Sequence, residues 1–365
     1  MKTTLDLYSD YLLVSTCQTS ATGLSMLVDN AVSHDSVTRY LSQSTYDSKS
    51  LWLKVKPLVR SHESSEGCLI FDDMVQEKEY TDESDLICWH YDHSVGRSVK
   101  GINLLSAFYV SQSSEESGLL RVPVGYELIQ KPVVSCNIAT RKEQRKSPKT
   151  KNELMREMIA AAIANQLLFK YVLADTWFAS AANMTFIAAN HKHFIFDMKV
   201  NRLAILCENI DTKPDKNSQW TNINQLLIPE NTPVRIWLKD LNFPVLLVKQ
   251  VFKDENGNTT GCRFLVSNDL SLSFNDFATI YKKRWSVEEY HKSIKQNASF
   301  AKSPTRTIKT QSNHIFASIW TYIKLEKLKF QTQLNHFQLK AKLYLNALKA
   351  AMAQLNIIQQ KDCTA

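Results

Sequence analysis

Glu288 stands in the stretch Tyr281-Lys-Lys-Arg284-Trp285-Ser-Val-Glu288-Glu-Tyr-His-Lys292-Ser-Ile-Lys295, where one carboxylate is set among cations and aromatic rings. The stretch lacks Gly and Pro, and its apolar residues recur with a helical period. On a wheel of about 100° per residue, Tyr281, Arg284, Glu288, Lys292 and Lys295 fall within an arc of roughly 80°. Val287, Tyr290 and Ile294 fall on the opposite side, where a core takes them. A carboxylate can hold a divalent metal. Cations one turn to either side can hold phosphates, and Trp285 at the rim can stack on a base. A solvated charged face is the plain alternative.

Two other stretches end in acids. Gly67-Cys-Leu-Ile-Phe71 runs into Asp72-Asp73, and Lys170-Tyr-Val-Leu-Ala174 runs into Asp175. An apolar run that stops at a carboxylate is the pattern of a buried central strand. Acids at the mouth of such a strand are costly unless paired or metal-bound. Successive strand residues point to opposite faces, so only one of Asp72 and Asp73 can aim into a site shared with Asp175. A helix predicted over 152–169, capped by Thr150 or Asn152, precedes the second of these strands. That order is expected of a parallel α/β sheet, in which ligands gather at the carboxyl ends of the strands.

The spacing Tyr281, two residues, Arg284, three residues, Glu288, six residues, Lys295 resembles the helix motif of the DDE-class bacterial insertion-sequence transposases, and Trp285 and Lys292 are similar to the family's as well. The resemblance implies that Glu288 is the third catalytic carboxylate. It implies that Tyr281, Arg284, Lys292 and Lys295 grip transposon-end DNA, with Trp285 beside a distorted base. The family's first strand reads apolar, apolar, acid, Asp, Thr, which maps the first catalytic acid onto Asp73. Met74 stands where Thr is usual, and Asp72 stays open as the alternative. Asp175-Thr-Trp-Phe resembles the second catalytic segment. The implied fold is an α/β RNase H-like core interrupted by a β-rich insertion. The implied chemistry has Asp73, Asp175 and Glu288 bind two Mg²⁺ or Mn²⁺ ions, cut the transposon end and join its 3′-OH to target DNA. A homodimer in the synaptic complex and a bacterial cytoplasm, at the nucleoid when on DNA, complete the expectation. An RNase H-like structure-specific nuclease and an inactive DNA-binding derivative are the rival functions.

The elements that must position these residues follow from the rest of the chain. At 365 residues there is length for more than one domain. The net charge of +8 suits a polyanionic partner. Seven scattered cysteines, 17, 68, 88, 136, 207, 262 and 363, include no Cys-x-x-Cys pair, which speaks against a disulfide framework or a zinc ribbon. Two acids in the first ten residues and the lack of a long apolar run speak against a signal peptide or a membrane span.

Residues 1–62 are expected to be helical, with 21–29 and 34–41 resembling a helix-turn-helix, capped by Ser33 and exposing Asp35, Thr38 and Arg39; a plain helical subdomain is the alternative, and the family resemblance implies DNA-end binding. The catalytic core is expected over 63–200 and 271–300, with strands near 87–93, 101–110 and 119–128. His90, Asp92 and His93 lack a fourth ligand at metal spacing. The run Arg141–Lys151, six cations and one acid, reads as an exposed loop. Short apolar segments between Pro, Asn and Gly mark 201–270 as the β-rich insertion. Two more helices fill 301–365. Across 281–310, eight Lys/Arg and two Glu give a balance of +6, a phosphate footprint.

Overall fold

The computed structural model describes residues 3–92, 95–112, 118–138, 141–206, 214–215 and 217–362. His93, Ser94, Cys207 and Cys363 lie outside the described residues. In chain order come α1 (Leu5–Val14), α2 (Ala21–Leu27), α3 (His34–Gln43), α4 (Ser48–Arg60), β1 (Cys68–Glu77), β2 (Cys88–Asp92), β3 (Arg97–Ser111) and β4 (Leu120–Leu128). Then follow β5 (Val133–Asn137), β6 (Lys142–Lys146), α5 (Lys151–Ala164), β7 (Tyr171–Ala174), α6 (Ala181–Ala189) and β8 (His193–Asp197). The chain continues with β9 (Leu203–Leu206), β10 (Thr221–Asn222), β11 (Pro233–Leu238), β12 (Val245–Lys253) and β13 (Thr259–Ser267). It closes with α7 (Phe274–Lys282), α8 (Trp285–Asn297), α9 (Ile308–Thr332) and α10 (His336–Asp362). The chain divides into two compact units, 1–53 with 80–87 and 289–365, and 54–79 with 88–288.

The first unit is helical and built on α9, which is hydrophobic enough to be buried along most of its length, Phe316, Ile319 and Ile323 completely. Its polar groups have partners, as buried amides and hydroxyls must. Asn313 Nδ2 donates to the carbonyls of Leu41 and Ser44, both at 2.7 Å, and Thr321 Oγ1 donates to the Ser9 carbonyl at 3.0 Å. The N-terminal helices and the C-terminal helices thus share one core. Ser33 caps α3, its hydroxyl accepting from the Ser36 amide at 3.2 Å. Asp35, Thr38 and Arg39 are exposed on α3, while Val37 and Leu41 are buried, as the spacing predicts. No described helix is long and apolar enough to cross a membrane.

The second unit is a mixed α/β structure around a large sheet of order β10-β9-β11-β12-β13-β8-β7-β1-β3-β2, with β4 also paired to β3. β1, β7 and β8 are parallel to one another, and the other named pairs are antiparallel. The parallel strands pair through apolar segments: Leu69 to Phe71, Val172 to Ala174 and Phe194 to Phe196 are each 0% exposed, as strands covered on both faces require. α6 makes the crossover from β7 to β8, and α5 leads into β7. A capping box starts α5, with Thr150 and Glu153 exchanging side-chain-to-backbone hydrogen bonds.

The strands within 201–270 form, as their punctuation suggests, and β13 pairs with β8, so β9 to β13 continue the same sheet. One expectation meets a different arrangement. The run 141–151 is not a plain loop, because β6 pairs with β5 in a separate two-stranded ribbon.

β3 is 15 residues long, and Gly101 within it pairs with Glu77 on one side and Cys88 on the other. A Cβ at Gly101 would run into the Gln76 carbonyl of β1, backbone that cannot swing aside. Gly101→Ala is therefore expected to cost about 1–3 kcal/mol through overpacking, read as a lowered midpoint in a circular-dichroism melt; an unchanged midpoint would show that the two strands can part there.

Candidate active site

Strand register brings three aspartates into one row. In the parallel pairs Phe71 lies beside Ala174, and Ala174 beside Phe196. One residue further on come Asp72, Asp175 and Asp197, each the first acid after an apolar run. Alternation along β1 sends Asp72 and Asp73 to opposite faces of the strand.

The surroundings of Asp73 fit this. Its carboxylate accepts from Lys151 Nζ at 2.7 Å and from Asn103 Nδ2 at 2.8 Å. Lys151 is the first residue of α5, and its ammonium also sits 5.7 Å above the Trp177 ring. Asp73 is thus engaged by a cation and an amide; Asp72 accepts from the Asp73 amide at 2.9 Å and Asp175 from the Trp177 amide at 2.9 Å.

Electrostatics separate the acids further. Loss of water, then the neighbouring charges of Asp175 and Asp73, push the Asp72 carboxyl up to about 7, against a smaller opposing pull from Arg284. Asp175 is raised too, by desolvation first and by Asp73, with the Trp177 amide and Arg284 pulling the other way. Asp197 is raised by desolvation, offset by Arg263 and Arg284. Desolvation is the first cause at all three aspartates, and the positive charge of Arg284 opposes it at each.

The cation the fold does supply is Arg284. The sequence predicts one unbroken helix through this motif, and the structure instead ends α7 at Lys282 and restarts at Trp285. The break has no Gly or Pro. Short-range amide bonds to the third residue back, Lys283 to Ile280, Arg284 to Tyr281, Ser286 to Lys283 and Val287 to Arg284, tighten the turn and shift the helical phase. Arg284 and Glu288, one turn apart, stay together: Nη2 to Oε1 is 2.6 Å, with the Arg284 side chain 15% and the Glu288 side chain 34% exposed.

Tyr281 does not join them on an outer face. It is 3% exposed, its hydroxyl donates to the Ala174 carbonyl at 3.3 Å, and the guanidinium groups of Arg263 and Arg284 lie 4.9 and 5.7 Å from its ring centre. It braces the end of β7 beneath the arginines rather than facing solvent. Trp285, by contrast, is 59% exposed. Lys292 and Lys295 lie further along α8, one and two turns beyond Glu288, Lys292 exposed and Lys295 half-buried.

Asp197 is the residue that sequence reasoning passed over. Its signal was present, since Phe194-Ile-Phe-Asp197 repeats the pattern of Leu69-Ile-Phe-Asp72 and Val172-Leu-Ala-Asp175. Among the described residues no group of three His, Cys, Asp or Glu side chains is arranged to hold a metal ion. Glu288 is turned to Arg284, and the fit to a divalent cation rests on the chemistry of Asp72 and Asp175. Cys88 Sγ and His90 Nε2 are 3.3 Å apart and buried, and burial drives the His90 imidazole down to about 3, so that pair is a neutral core contact.

A family model described as a DDE superfamily endonuclease matches residues 1–219, and one described as a transposase DDE domain matches residues 134–324. No curated protein matches the chain.

Proposed function

Because the chain belongs to the DDE superfamily of endonucleases and transposases, we propose that it cleaves transposon-end DNA and joins the freed 3′-OH to target DNA, acting as a homodimer. The observation that carries the proposal is the register of β1 against β7, which sets Asp72 and Asp175 one residue beyond the paired Phe71 and Ala174, both carboxyls raised first by desolvation and both under the charge of the Arg284 that pairs with Glu288. In this scheme the core is RNase H-like, and Asp72, Asp175 and Glu288 would hold two Mg²⁺ or Mn²⁺ ions. Asp73 is the first acid that the family's strand pattern names; Asp72, the alternative, is taken here because it follows Phe71, which pairs with Ala174 just before Asp175. Bound ions supply Lewis acidity at the phosphate and a water of lowered pKa.

The chain's own residues set the stage. Lys151 holds Asp73 and keeps its charge from adding fully to the crowding at Asp72. Tyr281 fixes the height of Arg284. Arg284, held 2.6 Å from Glu288, is the guanidinium that would take a phosphate oxygen in a charge-assisted bond were Glu288 to serve as a metal donor. Trp285 offers its exposed ring to a base loosened beside the cut. Lys292 and Lys295, further along α8, take phosphates of the end DNA.

The test pairs a labelled duplex carrying the element's own ends with plasmid, in Mg²⁺ or in EDTA. Strand-transfer products in Mg²⁺ alone are expected. Cleavage without joining would point to a structure-specific nuclease, and binding without cleavage to an inactive derivative.

The raised Asp72 carboxyl also gives a stability prediction. An unfolded Asp loses its proton near 3.9, and the folded one near 7. Between those values the native state holds more protons, so without metal its stability falls as pH rises. In EDTA the melting midpoint should drop by about 5 °C between pH 5 and pH 8. Mn²⁺ should raise it more at pH 8 than at pH 5, and Asp72→Asn should flatten both trends. A midpoint in EDTA that climbs over this range would count against the crowded pair.

A further inference from the structure

We propose that the β5–β6 ribbon is an arm that grips target DNA, holding a duplex by its phosphates without regard to sequence. The assignment presupposes the DNA chemistry proposed above and adds a surface to it.

The ribbon stands as its own two-stranded sheet, Val133 level with Lys146 and Val134 with Arg145. Both apolar residues of β5 are about half exposed, Val133 at 48% and Val134 at 53%, and Ile138 at its tip is 93% exposed. Isolated two-stranded ribbons are marginal in water. Within 131–151, Lys149 pairs with Glu157 and Lys151 with Asp73, both at 2.7 Å; the ribbon and its turn carry Arg141, Lys142, Arg145 and Lys146 against one acid, Glu143, a balance of +3. Like charges crowded on a thin ribbon oppose its own formation. Such a sequence makes sense when a polyanion neutralises it.

The arm is rooted at the site. On one side Lys131 Nζ donates to the Trp89 carbonyl at 2.6 Å. On the other, β6 passes through the Thr150 cap directly into Lys151, which holds Asp73. Whatever the ribbon grasps is therefore held beside the reactive carboxylates.

Chemistry selects the occupant. Residues 131–151 include no Phe, Trp or Tyr, so the ribbon offers no stacking platform for single-stranded bases. A two-stranded ribbon matches the width of a duplex major groove. Lysine and arginine contacts to phosphate position a protein but carry no sequence information. Transposon ends must be told apart by sequence, whereas the DNA that receives them need not be, and the sequence-neutral arm fits the receiving duplex.

The test measures binding of a random-sequence duplex and of an end duplex by wild type and by the double variant Arg141→Gln/Lys146→Gln. Random-duplex affinity should fall about tenfold near physiological salt, with the log–log salt slope shallower by about 2. End binding and end cleavage should stay within about twofold of wild type. The charge-keeping variant Arg141→Lys/Lys146→Arg should bind as wild type does, which separates lost charge from a disturbed ribbon. Unchanged affinity and slope for the random duplex would overturn the arm, and so would an equal loss on both duplexes. A wild-type protein that binds the random duplex through the arm yet never cuts or joins DNA would leave the arm standing and remove the proposed activity.

Discussion

Asp72→Asn and Asp175→Asn should each lower the rate of end cleavage by about 10³ or more, whereas Asp73→Asn should lower it by only about 10–100-fold. The contrast follows from the side of the strand each residue faces. Asp72 lies one step past the last paired residues of β1 and β7, level with Asp175. Removing either takes away a donor to the ions proposed to stabilise the transition state, worth several kcal/mol, and each 1.36 kcal/mol is tenfold in rate. Asp73 is bonded to Lys151 and Asn103. Its loss frees Lys151 and shifts the charge felt by its neighbours, an effect on positioning. Single-turnover cleavage of labelled end DNA at saturating protein measures all three. A dead Asp73→Asn beside an active Asp72→Asn would restore the assignment drawn from the family's strand pattern.

Glu288→Gln is the second large effect: about 10³ in cleavage, with end-DNA affinity within a few-fold of wild type. The amide keeps the shape of the side chain and can still accept from Arg284, so folding should survive; what it loses is the negative charge needed to hold a cation. Arg284→Ala should behave differently. It leaves Glu288 without its 2.6 Å partner and strips a positive charge from beside Asp72, Asp175 and Asp197. Both affinity and rate should then fall, and the melting midpoint in EDTA should fall with them. Gel shifts alongside single-turnover rates separate the two variants. If Glu288→Gln cuts at the wild-type rate, α8 carries no part of the chemistry.

The sequence made the strand-end acids visible, because an apolar run that halts at a carboxylate costs too much to be casual. It could not choose between Asp72 and Asp73. Alternation says that the two diverge, and the register against β7 adds that Asp72 follows the paired Phe71. Asp197 shows the reverse case, a pattern present in the residues and resolved only once β8 was seen beside β7. The helix break before Trp285 had no Gly or Pro to announce it, so a continuous wheel put Tyr281 outside when it lies inside. The β5–β6 ribbon was hidden for a related reason. Strand signals come from apolar alternation, and Lys-Glu-Gln-Arg-Lys of β6 has none; its pairing with β5 is a matter of backbone bonds. Four of the five strands after β8 were legible one by one, all but the two-residue β10, but their membership of the main sheet was not, since a strand's partner is not written in its own composition.

That membership bears on how the protein can be trimmed. β8 bonds β7 along one edge and β13 along the other. Cutting out residues 201–270 would not lift away a detachable accessory. It would strip one whole side of β8, leaving a flat, greasy row of unclaimed amides and carbonyls next door to Asp197, a template on which stray chains assemble.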